Sequence, residues 1–557
     1  MNPKTFPKIC LLLIIILACF LRFYNLSSIP NGFSDDEAAF GYNAYSILKT
    51  GTDEWGKLLP ITSFKSFGDY KLPVYFYLTS ASILIFGLTE FAVRFPTAIF
   101  GVFSVIATFF LVKKIFDEKV ALLAAFLLAI SPFHIFVSRH ALESAVPIFF
   151  NLTAAVFFIR SFKEKKMIIP SMILFAINLY VYRSTWIFVP FYLLALLVLF
   201  KDELAKNIKN LVLAIVIFAV LATPIAITAF TARGTSRLRQ IGITSQFNMI
   251  GLVNDVNYIK ETCSNELPKY ICTLTHNKYL ALVAKYTANY TSHYSPQLLF
   301  ISGSPDGEQM VKGRGFLYFF QLPFIIVGII FMGKNRKSVQ SRIILPWLLI
   351  YPLASASTGF ETPGRQAIAM PVWEIITATG VFCVLDYLKQ WKNWVFKASF
   401  IFCFTVILIF QFGKFVVDYF YIYPQTSGKY FRYGYNNLFS YLKTQENNYD
   451  KIVISNKLDA SHQYIFLLFY SKVDPKQYQG QAYSDRHFNE QGWVEVERIG
   501  KYYFHTSKPG LEGQPPKTLF AVGEKEMQTD AEPMYKIDFP NRERAFEIYD
   551  ADKLRGN

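Results

Sequence analysis

Four consecutive residues, Ser34-Asp35-Asp36-Glu37, set three carboxylates side by side just after an apolar run that ends near Leu26. Carboxylates crowded beside a hydrophobic span repel one another and lose hydration. At least one of them should then hold its proton more tightly than a free carboxyl group. Such a group does acid–base chemistry if a cleft encloses it, and is an ordinary loop residue if water bathes it. Lys71, Arg139, Arg183 and Arg365 supply a second chemistry. Ammonium and guanidinium groups suit phosphate, the guanidinium because its donor fork matches phosphate oxygens. Carboxylates and phosphate-binding cations on one face would serve an anionic, lipid-phosphate substrate.

The elements that must position these residues are membrane spans. The chain has 557 residues, 53% of them hydrophobic. Runs such as 9–20, 211–221, 324–331 and 398–412 belong to stretches long enough to cross a bilayer. The first run follows Lys4 and Lys8 as a signal peptide would, but no small-residue cleavage site succeeds it, so it reads as a retained span. The net charge of +16 reflects short basic loops between spans, at Lys113-Lys114, Arg160 with 163–166, Lys201/Lys206/Lys209, 334–342 and Lys389/Lys392/Lys397. All of these should be cytoplasmic. Nothing in the chain resembles a nucleic-acid module.

That parity decides one ambiguous segment. If 72–88, with Pro73, Thr79, Ser80 and Ser82, crossed the membrane, every later basic loop would face outward. It is read as a juxtamembrane helix. About eleven spans remain, near 9–26, 95–112, 119–137, 145–162, 168–182, 185–200, 210–230, 316–333, 343–357, 367–388 and 396–414. The N-terminus lies inside and the C-terminus outside. The division is a membrane domain over 1–414, with outer loops at 27–94 and 231–315, and a tail over 415–557. The tail alternates helix and strand signals: helices over 433–444 and 462–470, and strands at 451–455, 493–505, 518–522, 535–539 and 544–549. It reads as a small extracytoplasmic α/β domain.

Each outer cation has a plain alternative. An arginine at a span end snorkels to lipid headgroups without chemistry, the reading that suits Arg22 and Arg94. Arg139 and Arg183 stand between the two readings, and Arg365, beside a Pro-Gly turn, leans toward a substrate. Glu143 and Glu361 are second-tier acids, Glu143 sharing a tight outer turn with Arg139. His140 and His293 lack metal-ligand spacing. The stretch from Asn289 to Pro296, which holds His293, either lines an acceptor entrance or packs its loop onto the membrane surface. Cys263 and Cys272 lie in a polar outer loop and are expected to form a disulfide.

In order along the chain stand Leu21-Arg22-Phe23-Tyr24-Asn25-Leu26, then Asp36-Glu37-Ala38-Ala39-Phe40-Gly41-Tyr42, then Lys71-Leu72-Pro73. Phe86-Gly87-Leu88-Thr89-Glu90-Phe91-Ala92-Val93-Arg94-Phe95-Pro96 and Ser131-Pro132 follow. This order resembles the GT-C polytopic glycosyltransferases, in the branch of protein O-mannosyltransferases and lipid A aminoarabinose transferases. The resemblance covers residues 9–200 well and the loop around Arg365 loosely. It implies a mainly α helix bundle of GT-C type and transfer from a polyprenyl-phosphate sugar on the outer face, with inversion. It maps the family's Asp-Glu pair onto Asp36 and Glu37, with Asp35 an extra neighbour. Asp36 is then the base, and Glu37 or Asp35 its supporting acid. Lys71 occupies the family's position before Pro-Pro, but only one proline follows. Substrate-binding candidates are Lys71, Arg139, Glu143, Arg183, His293 and Arg365. No cofactor is required; a divalent metal could sit between Asp36 and Glu143. The expected partners are the polyprenyl-phosphate sugar, membrane lipids and an acceptor protein, lipid or glycan, with no nucleic acid. The competing reading is a transporter or flippase of lipid-linked sugars, which should show charges buried in mid-span or paired broken helices.

Overall fold

The computed structural model describes residues 5–305, 307–358, 363–390, 394–455, 462–480, 484–489, 492–505, 515–527 and 529–555. Among the described residues, six helices are long and apolar enough to cross a membrane: Phe6–Phe23, Glu90–Ile115, Glu143–Arg160, Ile208–Ala229, Pro363–Leu388 and Trp394–Ser427. Pro73–Phe86, Thr185–Leu199 and Phe319–Lys334 are apolar but shorter. The protein is a mainly helical membrane protein with a sheet near its C-terminus.

Two of the expected spans are interrupted where proline dictates. The stretch 119–137 is a helix over Glu118–Ile130 and a second over Pro132–Val137. Ser131 between them is extended, because a residue before proline is pushed out of the helical region. The stretch 343–357 divides into Val339–Ile350 and Pro352–Ala356; here Tyr351 stays helical, and the break falls at Pro352, which has no amide proton to donate. The region 231–315, expected as a long loop, is largely helical, over Ala232–Ile241, Gln246–Ser264, Lys269–Thr275 and Lys278–Ser292. Its polar sequence concealed good N-caps: Ser245 accepts the amide of Asn248, and Asn277 accepts those of Tyr279 and Leu280. Cys263 and Cys272 form a disulfide across the turn between two of these helices.

The chain forms two compact units. One comprises Met1–Arg22, Thr97–Ser138 and Leu142–Phe415; the other comprises Phe23–Pro96, Arg139–Ala141 and Val416–Asn557. The first outer segment and the tail therefore belong to one unit. Its centre is the helix Asp35–Thr50, followed by the hairpin of β1 (Phe64–Ser66) and β2 (Asp69–Lys71) and the helix Pro73–Phe86. The tail contributes β3 (Lys451–Ser455), β4 (Ser484–Phe488), β5 (Val494–Ile499), β6 (Tyr502–His505), β7 (Thr518–Val522), β8 (Tyr535–Asp538) and β9 (Arg544–Asp550). These strands form one sheet in the order β4-β5-β6-β3-β7-β9-β8. β3 runs parallel to both β6 and β7, and the remaining pairs are antiparallel.

Helix Tyr464–Tyr470 of the tail lies against helix Asp35–Thr50. A Cβ at Gly41 would stand 2.4 Å from the Phe469 ring, so only glycine permits this approach. Phe33 and Phe469 add a ring contact at 4.8 Å. The hairpin docks on the tail as tightly. Gly68 has φ of 96°, and a Cβ there would meet the Gly492 carbonyl at 2.0 Å. Val494 donates its amide to Phe67 across the same contact.

Candidate active site

Ser34-Asp35-Asp36-Glu37 is the start of a helix. Ser34 caps it, accepting the Glu37 amide, while the Glu37 carboxylate returns to the Ser34 amide. This reciprocal capping box satisfies two of the amides a helix start leaves open. The three acids also meet the positive end of the helix dipole.

Each carboxylate then has its own basic partner. Glu37 is 1% exposed, and its two oxygens accept four hydrogen bonds. Arg94 supplies two of them, from Nε at 2.7 Å and from the terminal NH2 group at 2.9 Å. The amides of Ser34 and Ala141 supply the others, each at 3.0 Å. Asp35 accepts from His462 Nδ1 at 3.0 Å. Asp36 pairs with Lys71. The Lys71 side chain is 9% exposed and that of Asp36 44%, which makes Asp36 the most open of the three acids. Lys71 Nζ also lies 4.6 Å from the Phe40 ring centroid and 5.4 Å from that of Phe67.

The electrostatics reverse the expected rise at two of the acids. Burial works against the Glu37 charge, but the Arg94 pair outweighs it and holds the carboxyl below its ordinary value. Burial also opposes the Asp35 charge, yet the His462 hydrogen bond and the charges of His462, Arg432 and Lys71 bring it down to about 2. At these two acids repulsion within the cluster loses to the partner in contact, Arg94 for Glu37 and His462 for Asp35.

Arg94 is not the snorkelling residue its sequence position suggested. It is wholly buried. Besides Glu37 it binds the carbonyls of Leu26, Ser27, Pro30 and Gly32. The guanidinium fork thereby gathers the turn before the helix into one hub. Arg22 is equally buried, donating to the carbonyls of Ala18, Leu128 and Ala129. Arg139, expected at an outer surface, is also enclosed. It donates to the Tyr24 carbonyl at 2.7 Å and to that of Ile29 at 3.2 Å, and lies 5.0 Å from the Phe420 ring centroid.

The other candidates lie in the first unit. Glu143 is half-buried at the start of a 3-10 turn, Glu143–Ala145. Arg183 is half-buried, donating to the Arg233 carbonyl and the Ser236 hydroxyl. Arg365 is half-buried in the turn Pro363–Ala369 and donates to the Thr358 hydroxyl. His293 is fully enclosed, with Nδ1 2.6 Å from the Asn289 carbonyl. Burial pushes its pKa down to about 4, against the pull of its backbone hydrogen bonds, so the ring is neutral at pH 7. Glu361 lies outside the described residues. Among the described residues, no three His, Cys, Asp or Glu side chains converge as a metal site. At Asp36 the cation in contact is the Lys71 ammonium.

This geometry can be set beside proteins of known structure. ArnT from Cupriavidus metallidurans, bound to undecaprenyl phosphate, superposes with a TM-score of 0.51 at 10% identity, over 97% of each chain. The oligosaccharyltransferase AglB from Archaeoglobus fulgidus, in complex with an inhibitory peptide and a dolichol-phosphate, gives 0.50 at 15% identity, over 84% of this chain and 64% of that one. The fold is that of the GT-C glycosyltransferases. Within it, residues 71–227 match the family described as dolichyl-phosphate-mannose-protein mannosyltransferase. The candidate mannosyltransferases YkcB and YycA of Bacillus subtilis (strain 168) are similar at 27% identity over 216 residues and 28% over 244. These alignments take in 38% and 42% of this chain and 29% and 34% of those proteins, so the chain spans about a third of the relatives it matches.

The residue of this cluster that sequence reading missed is His462, which is 427 positions from its partner Asp35. No local pattern announces it. The capping box, by contrast, has a local signal that the sequence analysis passed over, serine followed three residues later by glutamate.

Acids with raised pKa values do occur in the same unit, the neighbours Asp53 and Glu54 among them. Glu54, completely buried, accepts from the Trp55 indole at 3.1 Å. Burial, reinforced by Asp53, pushes it up to about 8. Such an acid binds its proton more tightly folded than unfolded. It therefore opposes folding increasingly as pH rises from about 4.5 to about 8. Glu54→Gln is expected to raise the melting temperature at pH 8, by the equivalent of roughly 1–3 kcal/mol, and to change it little at pH 4.5. An equal change at both pH values would count against this account.

Proposed function

We propose that the protein is a membrane glycosyltransferase that moves a sugar, with inversion, from a polyprenyl-phosphate donor to an acceptor on the extracytoplasmic face. The observation that carries this reading is the Asp36–Lys71 pair, an open carboxylate and a nearly buried ammonium at the start of one rigidly capped helix. The lipid phosphates named with ArnT and AglB support the donor class.

In the proposed reaction Asp36 accepts the acceptor's hydroxyl proton as that oxygen attacks the anomeric carbon. The bond from the anomeric carbon to the phosphate oxygen breaks, and the phosphate leaves with the bonding pair. Lys71 stabilises the charge that develops on it. Arg365 and Arg183 are further candidates for the phosphate. Glu37, with both oxygens engaged, holds the helix start and does not exchange protons. A lipid phosphate is already a fair leaving group, so the reaction is written without a metal. The N-terminus is proposed to lie in the cytoplasm and the tail outside.

The test is incubation of the purified protein with a panel of radiolabelled polyprenyl-phosphate sugars. Consumption of one donor, with label moved to an acceptor, is expected; no consumption across the panel would overturn the proposal. With the active donor identified, Lys71→Met should lower kcat by ~10²–10³-fold, the usual cost of losing one charge-stabilising donor. A Lys71→Met enzyme with unchanged kcat would remove Lys71 from the phosphate.

A further inference from the structure

Helix Pro73–Phe86 is built inside out for a helix that faces water. Its hydroxyl-bearing residues Thr79, Ser80 and Ser82 are buried, and the Ser80 hydroxyl donates to the Ala44 and Phe76 carbonyls. Its outward side is the stripe Val74, Tyr77, Leu78, Ala81, Leu84 and Ile85, at helical spacing and without a charge. Leu84 and Ile85 are 77% and 72% exposed. A helix against water carries the opposite pattern, apolar within and polar without.

A second apolar surface adjoins the stripe. After helix Asp35–Thr50 the chain turns through Gly56-Lys57-Leu58-Leu59-Pro60-Ile61, where Leu58 and Ile61 are 71% and 68% exposed. The Tyr77 hydroxyl donates to the Pro60 carbonyl at 3.1 Å, so the loop lies beside the helix. Leu59 has φ of 36°, in the left-handed region that costs a leucine energy, and its amide is tied to the Gly51 carbonyl. The stripe also runs on into a membrane span. Only Gly87-Leu88-Thr89 separates Phe86 from helix Glu90–Ile115. The Phe86 ring meets those of Phe91 and Phe95 at 5.1 and 5.0 Å, and the same side of that span continues through the exposed Phe103 and Phe110.

We infer that the stripe and the loop form one lipid-contacting face. Helix Pro73–Phe86 lies in the plane of the bilayer surface, and Leu58-Leu59-Pro60-Ile61 is set into the acyl layer beside it. Lipid is the occupant because the face is continuous, ring against ring, with the outward side of a membrane span. The exposed Lys57, immediately before the leucines, suits headgroup phosphates while its stem covers apolar surface. With 14 residues the helix is about 21 Å long, short of the ~30 Å hydrocarbon core, so it lies along the bilayer and does not cross it.

The test uses the full-length protein in lipid nanodiscs, with Cys10, Cys19, Cys383 and Cys403 changed to alanine and the Cys263–Cys272 disulfide kept. Leu58→Cys, Ile61→Cys and Leu84→Cys, all at exposed positions, each carry an environment-sensitive fluorophore, and Phe103→Cys marks the bilayer interior. Lipids brominated high on the acyl chain should quench the first three about twofold or more, lipids brominated near the chain end less, and aqueous iodide hardly at all, as for groups seated ~5–10 Å into the boundary of headgroups and chains. At Phe103 the chain-end bromines should quench at least as strongly as the high ones. Strong iodide quenching at Leu58, Ile61 or Leu84 would overturn the inference, because that part of the face would be in water. Shielding from iodide and from both lipids would overturn it in favour of a protein partner or a second copy. Stronger quenching by chain-end bromines at Leu84 would make the helix a span. Ala81→Cys replaces any labelled variant that does not melt with the parent. No donor is used, so the outcome is independent of the reaction proposed above.

Discussion

Asp36→Asn should lower sugar transfer by ~10²–10⁴-fold, the range lost when a positioned acid or base is removed. Asparagine keeps the shape of the side chain and its place on the first helical turn, but it cannot take a proton. The capping box, which uses Ser34 and Glu37, is untouched. The structural change is that Lys71 loses the carboxylate it pairs with, while Asp35 stays close enough to feel its charge. Because Lys71 is nearly buried, this should lower the melting temperature modestly. The paired variant Asp36→Asn/Lys71→Met should restore it without restoring transfer. The check is turnover with the labelled donor beside thermal melting of the same samples. Parent-like turnover in Asp36→Asn would sink the assignment.

The second large effect is on the fold. Glu37→Ala leaves the Arg94 guanidinium buried without its carboxylate, and removing one partner of a buried pair typically costs ~3–5 kcal/mol. It also breaks the capping box and frees the Ala141 amide. The protein should then be recovered poorly or melt far below the parent. Arg94→Met should do the same from the other side, leaving Glu37 charged and enclosed. The double variant Glu37→Gln/Arg94→Met should melt higher than Arg94→Met alone, because no charge is stranded; this coupling is what a double-mutant cycle reads. Should Glu37→Gln fold and melt like the parent yet lose transfer, Glu37 would return to the chemistry and leave its bracing role.

The sequence made the membrane helices and the tail's strands legible because each is a local pattern. Apolar runs mark the helices, and β-branched and aromatic stretches such as Lys451–Ser455 and Thr518–Val522 mark the strands. The carboxylate cluster was legible as chemistry, but its charge balance was not. That balance depends on Arg94 and His462, which lie 57 and 427 positions from their partners. Residue type alone could not separate a snorkelling arginine from Arg94 or Arg139, because the difference lies in which carbonyls the fold brings to the guanidinium. The positive-inside pattern bears only on which side of the membrane 231–315 is expected, and not on its helices, whose caps at Ser245 and Asn277 are local signals of a different kind.

The separation of Asp35 from His462 also sets a timetable for synthesis. At ~5–20 residues per second, the tail follows the helix start by roughly 20–85 s. Glu37 and Arg94 are made within seconds of each other and can close while the remaining spans are still being inserted. The early brace keeps the acidic helix start folded through a long interval in which Asp35 has no histidine. The order of closure, brace first and tail last, means that Asp35 gains its histidine only after the spans between them have been made.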